Sequence, residues 1–515
     1  MQDIMGEMPS QLRKQALDKD LKKISALETV GHEGRLRLLP LGFSLIFLVL
    51  VWLLATNQVL PGSGAGLVIA AAVIGGYMAL NIGANDVANN MAPAVGARAL
   101  TMTGALVVAA IFEAAGALIA GADVVETISR GIINPAAVSG NATFVALMMA
   151  ALLGAALWLN LATWIGAPVS TTHSIVGGVL GAGITAAGFD VANWPVMGAI
   201  AASWVISPLL GGLIAAGFLA ILNALILQAD DRIAAARRWV PLIVGGTASA
   251  FTVYLVQKGL SKVWHPGTGT LVLLSVAILL AGAQFARMAI ARRAPFLDNS
   301  EKAVGTLFTV PLIVAAALLS FAHGANDVAN AIGPLAAIAA AVGGESGTKV
   351  TVPSWIMLIG AIGISVGLAL FGPRLIRVVG EKITKLNPVR AFCVALSAAI
   401  TVLVASALGL PVSSTHIAVG AVFGVGLARE YHVSRGGHIR RALRLRGGDG
   451  PAPAAPSEPV VYPVPEETLR KVAKRRLVRR SHLLTIVAAW VITVPLTALI
   501  SAALFLAIRS FVAGI

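Results

Sequence analysis

Seven residues occur twice, letter for letter, in this chain. Gly83-Ala84-Asn85-Asp86-Val87-Ala88-Asn89 returns as Gly324-Ala325-Asn326-Asp327-Val328-Ala329-Asn330, at an offset of 241. Pro93 and Pro334 keep the same offset. Further along, Pro168-Val169-Ser170-Thr171-Thr172-His173 returns as Pro411-Val412-Ser413-Ser414-Thr415-His416, now offset by 243. From Asp86 to His173 is 87 residues and from Asp327 to His416 is 89, so order and spacing are both preserved. Two ordered motifs at matched spacing mean two homologous halves, which confines the chain to folds that build one unit twice.

The medium of that fold follows from the composition. Of 515 residues 57% are hydrophobic and 12% charged, and the mean hydropathy is +0.86. Soluble domains carry about 25% charged residues, so soluble enzymes and nucleic-acid binders are excluded in spite of a formal charge of +15. The length suits a bundle of membrane helices at ~20 residues per crossing. Glycine, 54 residues, is spread through the apolar runs, where it lets helices approach closely in lipid. Cys393 stands alone, so no intramolecular disulfide is expected.

Thirteen apolar stretches can cross a bilayer, from 40–56 to 482–510. Those at 173–189 and 416–428 are short and start inside the hydroxyl motif. The pieces 84–97 and 325–342 are interrupted by Asn, Asp and Pro, and read as broken helix. The expected fold is an all-α polytopic membrane protein. It has two inverted-topology repeats with broken helices or re-entrant segments, and roughly 11–13 transmembrane segments.

Inversion rests on charge. The stretches 228–239 (Arg232, Arg237, Arg238) and 291–302 (Arg292, Arg293, Lys302) flank two spans and therefore share a side, read as cytoplasmic. The loop at 190–197 has no basic residue and lies outside, whereas its counterpart in the second half, 429–481, is strongly basic and lies inside. Equivalent loops on opposite faces require inverted halves. The organisation expected is a polar arm at 1–37, an extra span at 38–60, a first repeat at 61–228 and a two-span linker at 229–302. The second repeat takes 303–428 and 482–515, interrupted by a basic Pro/Arg-rich cytoplasmic loop at 429–481. The arm carries seven basic and six acidic residues, and the first apolar stretch begins only near Pro40, so no cleavable leader is expected.

Acidic residues at membrane depth are costly, with Asp at roughly 2.5–3.5 kcal/mol on insertion scales, and persist only with a partner or a task. On a helix, spacing of three to four places Asp86 with Asn89 and Asn90, and Asp327 with Asn330, on one face. Carboxylate and amide oxygens are hard ligands suited to Na+, or to a proton on the carboxylate. In the second motif, proline interrupts the preceding helix and Ser or Thr caps the next. Free N–H groups, adjacent hydroxyls and the positive end of the helix dipole form an oxyanion site. His173, His323 and His416 and the mid-span Glu113 are titratable residues whose role the sequence leaves open between packing and proton coupling. HExxH, CxxC and Walker patterns are absent, so an enzyme is not expected.

At these four motifs the chain resembles the PiT family of inorganic phosphate transporters, across about residues 64–428 and the final span. The resemblance implies that Asn85, Asp86, Asn89, Asn326, Asp327 and Asn330 hold coupling cation and substrate, with Asp86 and Asp327 as the Na+ ligands of a sodium-coupled carrier. It implies that Ser170, Thr171, Thr172, Ser413, Ser414 and Thr415 hold phosphate oxygens. The function implied is phosphate symport with Na+ or H+ by alternating access around a midplane site in the plasma membrane, with no cofactor. A sulfate permease of the same fold and an anion channel are the alternatives. Phosphate at pH 7 keeps a proton to donate to a carboxylate, which sulfate lacks, and a site built around such a donor rejects the isostere strongly. The partners implied are inorganic phosphate and the lipid bilayer, without nucleic acid; a homo-oligomer is left open.

Overall fold

In lipid a backbone can satisfy its polar groups only within the segment, so apolar runs of this length become helices. The computed structural model describes residues 38–62, 64–165, 169–259, 264–344, 352–382, 386–446 and 480–512. The arm at 1–37, Pro168 and most of the Pro/Arg-rich segment lie outside the described residues. Eleven helices among the described residues are long and apolar enough to cross a membrane, in keeping with the polytopic all-α fold.

The elements in chain order are α1 (Leu38–Gln58), α2 (Ala65–Gly96), α3 (Met102–Ala120), α4 (Ala122–Glu126), α5 (Asn141–Ile165), α6 (Thr171–Ala187) and α7 (Trp194–Leu222). Then come α8 (Arg232–Tyr254, continued by a π-helical turn Leu255–Gly259), α9 (Thr268–Ala291) and α10 (Glu301–Leu307). The second half holds α11 (Thr309–Val342), α12 (Ser354–Lys382), α13 (Pro388–Ala407), α14 (Ser414–Arg446) and α15 (Arg480–Val512). Two compact units divide at residue 50. In the first, residues 38–50 are the opening turns of α1, where the Ser44 hydroxyl donates back to the Pro40 carbonyl at 2.8 Å. Everything described below lies in the second, residues 51–515.

The halves are interleaved. α2 packs on α12 of the other half and α3 on α11; α7 packs on α13 and α14, and α15 on α5 and α6. Glycine makes these crossings close. A Cβ on Gly83 would run into the Ile364 carbonyl, and one on Gly324, its repeat partner, into that of Glu113. Gly116 lies in the same way against Phe321, and Gly367 against Leu80. Leu80 and Phe321 are themselves 241 apart, so packing obeys the repeat and matches Glu113 of α3 with Ile364 of α12.

Direction is visible in α2 and α11. Gly64, capping the start of α2, lies against Val342 at the end of α11, and Gly75 lies against Ala331 and Leu335. Repeat-equivalent helices that run antiparallel are what inversion demands. α11 is almost wholly enclosed by protein, whereas α9 leaves most of its apolar length exposed, Leu273 and Leu280 among it, as a lipid-facing span does.

Two expectations need correcting. The Asn-Asp segments are not unwound: α2 and α11 run unbroken through them, with Pro93 and Pro334 inside. Each proline removes one backbone bond, and neighbouring helices in a membrane bundle tolerate that loss. The breaks fall instead at the hydroxyl motifs, between α5 and α6 and between α13 and α14. The 429–481 segment also begins as helix, because α14 continues to Arg446.

Gly324→Ala, which places a methyl on the Glu113 backbone, should destabilise the protein by about 1–3 kcal/mol. Gly217→Ala, whose Cβ meets nothing within 4 Å, should be neutral. Thermal unfolding in detergent checks the pair, and equal melting temperatures would contradict the interleaved packing.

Candidate functional site

The hydroxyl motifs act first through their caps. Ser170 is extended (φ −85°, ψ 122°) and its side chain accepts from the His173 amide at 3.2 Å, starting α6 at Thr171. Ser413 does the same for α14, accepting from the His416 amide at 3.3 Å. Both helices thus begin in the protein interior, and all six hydroxyl residues, Ser170 to Thr172 and Ser413 to Thr415, are buried. A helix start presents N–H groups that lack intrahelical partners and the positive end of a helix dipole.

The acids meet these starts crosswise. The Thr415 hydroxyl of the second half donates to Asp86 Oδ1 of the first at 3.3 Å. The Thr172 hydroxyl of the first half lies 3.3 Å from Asp327 Oδ1 of the second. The two threonines are equivalent by the repeat, as are the two aspartates. Asn89 follows this pattern, donating to Thr415 Oγ1 at 2.8 Å and Asp86 Oδ1 at 3.3 Å. Asn330 donates to Thr172 Oγ1 and Asp327 Oδ1, both at 3.2 Å, and lies 3.3 Å from Thr171 Oγ1. Ser414 adds a bond to Asp327 Oδ2 at 3.1 Å. The structure therefore brings together both acids, Asn89, Asn330 and the hydroxyls of Thr171, Thr172, Ser414 and Thr415, while the Ser170 and Ser413 hydroxyls serve the caps.

Asn85 and Asn326 are used differently. Asn85 donates to Thr163 at 3.1 Å on α5, and Asn326 to Ser406 at 3.0 Å on α13. Asn326 also donates to the Leu410 carbonyl at 3.1 Å and accepts from the Val412 amide at 3.2 Å. Its amide is spent on the turn that leads into the second hydroxyl motif.

His323 is a site residue that motif reading did not select. One turn before Asp327, its Nε2 lies 2.8 Å from Asp327 Oδ2 and 3.6 Å from Asp86 Oδ2. Its Nδ1 lies 3.3 Å from Glu113 Oε2, and Asn90 donates to Glu113 Oε1 at 2.8 Å. Asn90 thus leaves the face of Asp86 and Asn89 to serve Glu113. All of these groups are buried. The triad is one-sided: the repeat places Ile82 opposite His323, Ile364 opposite Glu113 and Ala331 opposite Asn90. The signal in the sequence was Glu113 in mid-span with no charge opposite it; its partner came from the other half instead.

Three carboxylates surround one imidazole, and any charge they carry in this buried place is tolerated only when compensated. Ligand atoms of Asp86, His323 and Asp327 all lie within 4.8 Å of one another. Asn330 Oδ1 and Asn90 Oδ1, both buried, accept no hydrogen bond among the described residues. Such a set of hard oxygens matches small cations or protons. Behind the hydroxyls, His173 and His416 face each other with ring centroids 4.5 Å apart, and His173 stacks on Trp204 at 3.7 Å.

The phosphate transporter family model matches residues 82–501, a range that includes all four motifs. This chain belongs to that family. A protein of Helicobacter pylori described as a "putative phosphate permease" is 44% identical over 95% of this chain and 98% of its own length. One from Pyrococcus abyssi with the same description is 41% identical over 69% of this chain and 88% of its own. A solved structure described as a sodium-dependent phosphate transporter superposes with a TM-score of 0.72 at 34% identity. That likeness covers 86% of this chain and 99% of the other. The family member is a transporter and not an enzyme, and its spans make it a multi-pass membrane protein.

Thr415→Val keeps the shape and removes the hydroxyl shared by Asp86 and Asn89, which should destabilise the protein by about 1–3 kcal/mol. Thr401→Val, which removes a hydroxyl bonded to the Ser397 carbonyl one turn back in α13, should cost less. Chemical or thermal unfolding of the purified protein distinguishes the two, and equal losses would contradict a special role for the crossed bond.

Proposed function

We propose that the protein carries inorganic phosphate into the cell across the plasma membrane, driven by a Na+ or H+ gradient. The observation that carries this reading is the crossed placement of each half's aspartate against the other half's hydroxyl-bearing helix start. That arrangement sets hydrogen-bond donors for an anion and oxygens for a cation side by side in one buried cluster, so each charge would lower the cost of burying the other.

Phosphate oxygens would accept from hydroxyls and amides at the starts of α6 and α14, as anions do at helix N-termini. The cation, Na+ on the oxygens of Asp86, Asp327, Asn89 and Asn330 or protons on the carboxylates, would offset the charge the carboxylates carry. The hydroxyls then become free to turn from the aspartates to the substrate. Phosphate retains a proton to donate, which gives it an advantage over sulfate at a pocket rich in carboxylates. His323 would hold Asp86, Asp327 and Glu113 at fixed distances, and supplies the group through which proton coupling could act. Because Thr415–Asp86, Asn89–Thr415, Asn330–Thr172 and His323–Glu113 join the two inverted halves, movement of one half against the other would open the site to one side at a time, the alternating access of inverted-repeat carriers.

Radiolabelled phosphate uptake into proteoliposomes, run with and without a Na+ gradient and across pH, tests the reading. The wild type should concentrate phosphate inside, and excess sulfate should compete poorly. Asp86→Asn and Asp327→Asn should each reduce uphill uptake roughly tenfold or more. Equilibration without accumulation would mark a channel, and effective sulfate competition a sulfate carrier. Replacing Ser413, Ser414 and Thr415 by alanine should raise the half-saturation concentration; an unchanged value would remove the second hydroxyl motif from the substrate site.

A further inference from the structure

The turn between α13 and α14 is held at nearly every carbonyl by a side chain from elsewhere. Lys258 Nζ donates to the Ala407 carbonyl at 3.0 Å and the Thr127 hydroxyl to that of Gly409 at 2.7 Å. Asn326 takes the carbonyl of Leu410, Trp204 that of Pro411 at 3.2 Å and Thr172 that of Val412 at 2.9 Å. The next residue is Ser413, cap of α14 and first of the second hydroxyl triplet. Small shifts of this turn are therefore delivered directly to Ser413, Ser414 and Thr415.

Four of the five side chains come from the repeated halves. Lys258 does not. It sits in the π-helical turn that ends α8, the first helix of the linker between the halves. Its ammonium is fixed by Asp123 Oδ2 at 2.8 Å, at the start of the short helix α4. Gly409 explains why the clasp can close so tightly. Its φ of +67° is left-handed, and a Cβ there would stand 3.3 Å from the Asp123 carbonyl oxygen and 3.4 Å from Thr127 Oγ1. The turn thus rests on the Asp123 backbone and the Thr127 side chain while Lys258 ties Asp123 to Ala407.

We infer that Lys258 is a positioning residue for substrate. By bridging the Asp123 carboxylate and the Ala407 carbonyl, it sets the turn at 408–412 and, through it, the hydroxyls that receive phosphate. A linker span with no counterpart in the repeat is in this way made part of the site. The inference rests on the phosphate-carrier reading for its kinetic consequence, but the fixing of the turn does not depend on substrate.

The experiment therefore has two arms on the same purified, reconstituted protein. Hydrogen–deuterium exchange over 405–413, without phosphate, should be at least about threefold faster in Lys258→Met than in wild type and close to wild type in Lys258→Arg, which keeps a donor for both oxygens. Phosphate uptake should show a half-saturation concentration raised about fivefold or more in Lys258→Met, with the maximal rate within about twofold, and near-normal values in Lys258→Arg. Asp123→Asn, which weakens the clasp from the other side, carries both arms if Lys258→Met does not fold. Unchanged exchange in the turn overturns the inference whether or not phosphate is transported. A wild type that moves no phosphate, with faster exchange in Lys258→Met, would overturn the carrier reading while leaving the clasp established. Faster exchange with an unchanged half-saturation concentration in an active protein would overturn the link from clasp to substrate.

Discussion

A carboxylate in a membrane must be answered by another group, and this protein has three of them enclosed near one histidine. Asp86, Asp327 and Glu113 are buried around His323, and among the described residues no lysine or arginine joins the ion pairs of that cluster. The rest of the fold can be understood as what is needed to keep such a group in lipid. Antiparallel α2 and α11 carry the two aspartates to the same depth, and close glycine crossings let the backbones of α12 and α3 approach them. Two helices start in the interior so that their hydroxyls and N–H groups can face the acids. Desolvation of charge is the dominant cost, and crossed hydrogen bonding is the response to it.

Interleaving gives this arrangement its mechanical character. Each aspartate meets the other half's threonine: Asp86 is bonded by Thr415, and Asp327 lies 3.3 Å from the Thr172 hydroxyl. Bonds from within one half add to this, Asn89 to Asp86 and Ser414 and Asn330 to Asp327. Relative motion of the halves must therefore act on this buried cluster. The one-sided triad of Asn90, Glu113 and His323 departs from the repeat symmetry, so the two halves are alike in backbone and unlike in charge.

Much of this is legible in the sequence because duplication leaves identical letters behind. The motifs, their hydroxyl caps and the apolar spans between them follow from local chemistry, and Ser170 and Ser413 take up the cap positions that the Pro-Val-Ser pattern implies. What is not legible depends on contacts between distant residues. Proline and asparagine within 84–97 read as a break, yet a proline surrounded by packed helices costs one hydrogen bond and α2 passes through it. Glu113 and His323 are 210 residues apart, and nothing in either neighbourhood names the other. Lys258 has the sequence context of an ordinary span-end residue, and only the fold places the turn at Ala407 beside it.

The central claim is that one pocket is made by both halves and receives anion and cation together. A cryo-electron microscopy structure of the protein with phosphate and Na+ would test it most directly. The account predicts tetrahedral density in contact with both Ser170–Thr172 and Ser413–Thr415, and cation density or protonated carboxylates at Asp86 and Asp327. Phosphate bound against only one hydroxyl triplet, or at a place remote from both aspartates, would contradict it.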